Sequence, residues 1–257
     1  MCVSGWNPWY CTGSDLRVFP NLKKLQIQGV LRDFCSCKDL YDLRYLDQLE
    51  ELEFLLSYPF AFCSLERTTP SGPLRFQTKM RPCANPVPPL LLSPPDAFPQ
   101  NLKNLTFSGH FFLPWKDFSI VGKLLKLESL KLSHIYFIDG EWEVAGEGFP
   151  CLKFLLLKYL NIRYWIASSD HFPCLERLHV ESCSILDSIP PDFADITTLV
   201  LIDIRRCAQS VGNSAKQIQQ DMEDNYASSI EDRTDQLVHS KKYGFRIHLD
   251  EFRWLVV

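Results

Sequence analysis

The chain has 257 residues, of which 46% are hydrophobic and 23% are charged, a composition typical of a folded protein with a continuous core. Its formal net charge of −4 gives no indication of a basic surface for nucleic acid or of charge-driven attachment to a membrane. Residues 1–14 lack the basic start and apolar run of a secretory signal, and no apolar run is long enough to span a bilayer, so we predict a cytoplasmic chain.

The first 18 residues contain the aromatic side chains Trp6, Trp9 and Tyr10 but show neither helical nor strand periodicity. Periodic spacing of apolar residues is the main sequence signal of a helix or a strand. We therefore predict an irregular N-terminal segment over residues 1–18.

Between residues 19 and 210 the chain repeats the pattern L-x-x-L-x-L. Its copies start at seven leucines, which are Leu22, Leu49, Leu102, Leu127, Leu152, Leu175 and Leu199. The intervals between them are 27, 53, 25, 25, 23 and 24 residues. All but the second lie within the roughly 20–29 residues of a leucine-rich repeat. In the first copy Leu25 and Ile27 alternate with polar residues, which predicts a half-buried strand.

Stacked copies of this unit predict an α/β fold, a leucine-rich-repeat solenoid with a concave parallel β-sheet and irregular or short helical convex returns. A Phe-Pro pair precedes four copies, where proline suits the turn that enters a strand. Two copies continue into Cys183 and Cys207, which we predict to turn inward beneath the strand.

Residues 70–99 contain nine of the 17 prolines of the chain. Proline fixes φ and lacks an amide donor, so we predict an exposed, extended excursion here, with neither a helix nor a central strand. The segment lies within the interval of 53 residues and is either an insertion between repeats or a degenerate repeat. A proline-rich ligand for an SH3-like module is the functional alternative.

Residues 211–257 are predicted to form a C-terminal cap helix and tail. Asn213 and Ser214 are placed to cap a helix over residues 215–226, whose apolar side chains share one face. Alternation over residues 245–249 predicts a final strand. Because residues 1–18 show no comparable cap, we expect the chain to be a truncated part of a longer repeat protein.

The sequence contains none of the local motifs that mark nucleotide-binding or hydrolytic sites. It has no phosphate-binding loop, no G-x-G-x-x-G, no G-x-S-x-G elbow and no H-E-x-x-H. The ten cysteines lack the paired spacing of zinc sites and are predicted as reduced and mostly buried. We therefore predict a non-enzymatic module with no catalytic residue, no cofactor and no metal.

The remaining candidate site is the concave face of the predicted sheet. Most side chains there are polar, but Phe154 and Leu156 are apolar, and exposed apolar groups with a polar rim are typical of protein-binding surfaces. The alternative is that a neighbouring segment covers them. The candidate protein-binding residues are Lys131, Phe154, Leu156, Lys158, Arg177, His179, Glu181, Asp203 and Arg205.

Several phrases of the chain resemble the distal repeats of plant intracellular immune receptors, and of the late-blight-resistance group in particular. They lie at residues 19–25, 98–105, 113–115, 165–178 and 214–219. Members of that group carry a coiled coil, a nucleotide-binding switch and leucine-rich repeats. The resemblance covers about residues 11–220 and implies the C-terminal repeat fragment alone.

This resemblance implies a cytoplasmic protein, at most peripherally associated with a membrane, that contributes to defence against pathogens. Its protein partner would be a pathogen effector or the nucleotide-binding domain of the parent receptor. Because the nucleotide-binding motifs are absent here, no nucleotide site is carried over. The alternatives are a substrate receptor of a ubiquitin ligase, a cell-surface receptor, and a truncated copy without function.

Overall fold

The structure is a computed structural model that describes residues 1–7, 13–30, 43–57, 98–113, 120–137, 140–144, 146–231 and 244–248. The strands are β1 (Cys2–Trp6), β2 (Lys24–Val30), β3 (Glu51–Ser57), β4 (Asn104–Leu113), β5 (Ser129–Phe137), β6 (Glu141–Glu143), β7 (Phe154–Lys158), β8 (Tyr164–Ile166), β9 (Arg177–Glu181), β10 (Leu201–Arg205) and β11 (Gly244–His248). The helices are α1 (Gly13–Leu16) and α2 (Gln209–Glu231), and the 3₁₀ turns are Ser169–His171 and Pro191–Asp195.

One parallel sheet runs through the described residues in the order β1-β2-β3-β4-β5-β7-β9-β10-β11. Equivalent positions of successive repeats are paired, and the second apolar residue of each L-x-x-L-x-L copy is at most 1% exposed. These residues form one buried row, Leu25, Leu52, Leu105, Leu130, Leu155, Leu178 and Ile202. The predicted α/β leucine-rich-repeat solenoid is therefore confirmed.

A row of shared carbonyl groups holds the repeats in this register. The Lys23 carbonyl accepts hydrogen bonds from the amides of Glu50 and Glu51, at 2.9 and 3.0 Å. The same pair of hydrogen bonds from two consecutive amides recurs at the carbonyls of Glu50, Lys103, Glu128, Lys153 and Glu176. Each strand therefore starts at the same height as its neighbour, which places equivalent side chains of all repeats in straight rows across the sheet.

The prediction of an irregular segment over residues 1–18 is wrong. Strand β1 pairs in parallel with β2, and Trp6 is 8% exposed because it covers the first layer of the core. Gly5 has φ of +71°, and the register shifts between Val3 and Trp6. This interruption breaks the alternation of side chains, which is why the pattern of residues gave no strand signal.

The C-terminal helix forms, but it begins earlier than predicted. Helix α2 starts at Gln209, and Ala215, Ile218 and Met222 are buried on one face as expected. Ser214 is not a cap: its hydroxyl accepts a hydrogen bond from the Ile189 amide at 3.0 Å and donates one to the Val211 carbonyl at 2.9 Å. Strand β11 pairs in parallel with β10, which confirms the predicted final strand.

Strands β3 and β4 are direct neighbours in the sheet despite the interval of 53 residues between their repeats. Their backbones pair with each other, so no further strand of the main sheet lies between them. The predicted proline-rich excursion lies outside the described residues, except for Phe98 and Pro99. Among the described helices, none is long and apolar enough to cross a membrane.

Candidate protein-binding face

Strands β5, β7, β9 and β10 place the nine candidate residues side by side on the face of the sheet that points away from the core. Along each strand these side chains alternate with buried leucine, isoleucine or valine. The open-face patch is defined as Lys131, Phe154, Leu156, Lys158, Arg177, His179, Glu181, Asp203 and Arg205. Pairing of Phe154 with Arg177 and of Leu156 with His179 brings residues of separate repeats together.

Phe154 is the centre of the open-face patch. Its ring lies 5.2 Å from the His179 ring, while Lys131 Nζ and Arg177 Cζ lie 5.8 and 5.7 Å from its centroid. Phe154 and Leu156 are both half-buried, which lies between the two alternatives that the sequence leaves open, full exposure and coverage by a neighbouring segment. Side chains of neighbouring strands cover part of Phe154, and the rest stays open to solvent.

Asp203 departs from the polar, solvated position that the sequence predicts. It is 2% exposed and makes a bidentate ion pair with Arg205, with distances of 3.0 Å to Nε and 2.7 Å to Nη2. His179 Nδ1 lies 3.3 Å from the same carboxylate. Strand β11 lies beside β10 and pairs Arg246 with Asp203 in register, so β10 is an interior strand. A buried carboxylate is tolerable because these partners compensate its lost hydration.

His179 is held in its neutral form near neutral pH. Burial lowers its pKa most strongly, and the positive charges of Arg205 and Arg177 lower it further. The Asp203 carboxylate acts in the opposite direction but does not outweigh burial. The ring can therefore donate one N–H to Asp203 and pack its apolar face against Phe154.

Charges on the open-face patch are unevenly compensated. Lys158 and Glu181 form an ion pair at 2.9 Å, and Arg205 is engaged by Asp203. Within the described part of the chain, Lys131 and Arg177 form no ion pair with a carboxylate, and their charged groups lie over the ring of Phe154. The apolar centre is therefore flanked by two uncompensated cations.

The N-terminal half of the same face holds a separate, open cavity of about 350 Å³. It is lined mainly by polar groups, including the Lys24–Glu51 ion pair at 2.7 Å, and Lys131 alone joins it to the open-face patch. Nearby, the Gln26 amide donates to Glu53 at 2.8 Å. The sequence does not single out this cavity, because its residues are an ordinary solvated strand surface.

Cys183 and Cys207 turn inward as predicted, but Cys2 and Cys151 are exposed and Cys174 is half-buried, so the prediction of mostly buried cysteines is wrong for the described residues. Cys183 and Cys207 are buried, and their thiols donate to backbone carbonyls of Leu157 and Val180 at 3.7 Å. Burial raises the pKa of Cys183 to about 12, so its thiol stays protonated. Within the described ranges, no three His, Cys, Asp or Glu side chains are grouped so as to hold a metal ion.

Asn161 is a structural residue that sequence reasoning missed. Its side-chain oxygen accepts from the Phe137 amide at 2.6 Å, and its amide donates to the Phe137 carbonyl at 3.0 Å. The available signal was its place next to Leu160, which occupies the position where many leucine-rich repeats have asparagine. Because Asn161 lies one residue after the usual asparagine position, the repeat pattern did not identify it as the side chain that bonds the turn.

The row pairing, the buried leucines and the open face together make the chain a leucine-rich-repeat solenoid. No family model matches the chain. It is similar to late blight resistance protein homolog R1B-13 of Solanum demissum, with 33% identity over 225 residues, which are 85% of this chain and 17% of that relative. Another late blight resistance protein homolog of the same species is 34% identical over 218 residues, 83% of this chain and 15% of the relative.

A shorter match to homolog R1B-12, also of Solanum demissum, has a higher identity. It is 43% identical over 123 residues, which are 47% of this chain and 9% of that relative. The chain therefore belongs to the late blight resistance protein homologs and matches a part of each of them. It spans less than a fifth of the length of these relatives.

Proposed function

We propose that this chain is the protein-binding recognition module of a plant disease resistance protein, and that the open-face patch is its contact surface. The observation that carries the proposal is the half-buried pair Phe154 and Leu156 beside the uncompensated cations Lys131 and Arg177. A partly buried apolar centre within a charged rim is the arrangement of an interaction hot spot. In this proposal the module binds and does not catalyse.

The partner is proposed to be a pathogen effector or another domain of the parent receptor, and the place of action the cytoplasm, with at most peripheral membrane contact. Because the rim has two uncompensated cations, a matching partner surface presents an apolar side chain next to carboxylates. Such complementarity accelerates association and excludes partners with the wrong charge.

The proposal is tested by titrating the chain with the part of homolog R1B-13 that it does not match and with secreted proteins of the late blight pathogen. Binding to either class is measured by biolayer interferometry. The double variant Lys131→Glu/Arg177→Glu reverses the uncompensated cations without removing a core contact. We expect affinity to fall about tenfold or more, since each interface charge pair of this kind is worth roughly 1 kcal/mol or more.

The matched control is Gln28→Glu/Ser108→Glu, which adds the same number of carboxylates to the same face, on β2 and β4. It should leave affinity within about twofold, because these positions lie outside the patch. A second variant, Phe154→Ser/Leu156→Ser, should abolish binding with an unchanged circular dichroism spectrum. Equal binding by wild type and both patch variants would refute this contact surface.

A further inference from the structure

Cys151 and Cys174 occupy the same position in two successive repeats. Each follows a Phe-Pro pair and precedes the first leucine of its copy. The two turns are stacked: the rings of Phe149 and Phe172 lie 5.4 Å apart and are nearly parallel. Three residues later, Phe154 and Arg177 are paired in the sheet. Neighbouring strands lie about 4.8 Å apart, which falls within the Cα separation of roughly 4.4–6.8 Å that a disulfide needs.

Contacts at equivalent positions show where side chains of this row point. Lys126 Nζ donates to Asn101 Oδ1 at 2.5 Å, and these two residues hold the same position in the two repeats joined by β4 and β5. In the repeat that follows Cys174, Thr198 Oγ1 lies 2.9 Å from the Leu175 carbonyl and 3.2 Å from the Pro173 carbonyl. A side chain of this row therefore reaches back to the preceding repeat, which directs Cys174 toward Cys151.

Access to solvent separates this pair from the structural cysteines. Cys151 is exposed and Cys174 is half-exposed, and both are free thiols. Cys183 and Cys207, by contrast, are buried and hydrogen-bonded to carbonyls of the preceding strands β7 and β9. A reagent in water can reach the first pair without unfolding the chain, whereas the second pair is shielded.

We propose that Cys151 and Cys174 form an oxidative modification site, in which hydrogen peroxide converts the two thiols into a disulfide that joins neighbouring repeats. The exposed Cys151 thiolate attacks the peroxide oxygen, the O–O bond breaks, and protonation of the leaving oxygen releases water. The Cys174 thiolate then attacks the sulfenic sulfur, the S–S bond forms, and hydroxide leaves and takes up a proton to become water. Each sulfur loses one electron, and the peroxide takes up both.

This bond would act on the repeat that carries the centre of the open-face patch. The chain between the two cysteines contains β7, and therefore Phe154, Leu156 and Lys158. A cross-link that closes this loop removes conformational freedom from the unfolded chain. The site does not depend on whether the patch binds a partner.

The test uses the full chain, reduced, desalted and treated with a small excess of hydrogen peroxide at neutral pH, followed by non-reducing tryptic mass spectrometry. Cleavage after lysine and arginine separates the two cysteines into the peptides 132–153 and 164–177, each with one cysteine. We expect a disulfide-linked form of these two peptides as the main oxidation product. The melting temperature should rise by about 5–10 °C and return to its starting value with a reductant.

Cys151→Ser and Cys174→Ser are matched controls, because each removes one partner at a solvent-accessible position. Both should lose the linked peptide and the rise in melting temperature, while their reduced forms melt with the wild type. Oxidation in denaturant should give mixed pairings among the ten cysteines. A folded chain in which Cys151 stops at the sulfenic acid, or pairs with Cys2 as often as with Cys174, would overturn the proposal.

Discussion

Asn161 joins two neighbouring repeats through a single side-chain amide. It satisfies both the amide and the carbonyl of Phe137, at the end of β5, while its own backbone lies in the following repeat. The two hydrogen bonds are partly buried, where water is a poor substitute for the lost partner. Asn161 therefore stabilises the turn between the main sheet and strands β6 and β8.

We expect Asn161→Ala to lower the free energy of unfolding by about 1–3 kcal/mol, because the Phe137 amide and carbonyl both lose this partner. Urea denaturation followed by circular dichroism measures the change. Asn161→Asp keeps the acceptor for the Phe137 amide and loses only the donor, so its stability should lie between those of the alanine variant and the wild type. An alanine variant as stable as the wild type would contradict the assigned role.

At this scale the alternation of the repeat correctly predicts which side chains lie on the open face, but not how each is surrounded. Asp203 is buried because β11 lies beside β10 and because Arg205 and His179 face its carboxylate.

The residue types also do not indicate where the backbone adopts the left-handed conformation. His134, Tyr159, Ser182 and Arg206 all have φ between 51° and 57° directly after the third open-face position. Such residues normally avoid this region, so the stacked turn must impose it.

At the scale of elements, aromatic packing connects the convex segments of successive repeats. Phe172 lies between Phe149 and Phe193, at centroid distances of 5.4 and 5.5 Å. Trp165 of β8 stacks on Trp142 of β6 at 5.4 Å and 5°. Strands β6 and β8 pair over only three residues each, and this aromatic layer packs against them.

Phe172→Ala should destabilise the chain by about 3–5 kcal/mol, because a fully buried ring is replaced by a cavity that its neighbours cannot fill. Thermal and urea denaturation give the value. Tyr164→Ala is the matched control: Tyr164 lies in β8 but is 43% exposed, and its loss should cost less than about 1 kcal/mol. Similar losses for both variants would mean that the convex aromatic residues do not form a stabilising layer.

At the scale of the whole molecule, every strand of the main sheet pairs only with the strands of the repeats before and after it. Stability in such an array is a sum of repeats and of the interfaces between neighbours. The two end strands each lack one neighbour within the described sheet, and Trp6 shields the core at the β1 end. A change at one end is therefore expected to stay local.

Trp6→Ala should increase amide hydrogen exchange in β1 and β2 while leaving β9 and β10 protected as in the wild type. The reason is that removal of this indole exposes the first layer of core leucines, whereas the interfaces near β9 remain intact. Hydrogen exchange followed by mass spectrometry resolves the two regions. A uniform increase along the sheet would show instead that the chain unfolds as one cooperative unit.

The sequence by itself determined the fold class, the order of the repeats and the face on which each side chain lies. A period of about 25 residues and the alternation within each copy are local properties of the chain, and stacking preserves them. Only the tertiary structure decided the pairing of β1, the burial of Asp203, the contacts of Phe154 and the stacking of Phe149 on Phe172. Each of these depends on which residues of separate repeats lie side by side, and that is set by the register between repeats, not by the pattern within one.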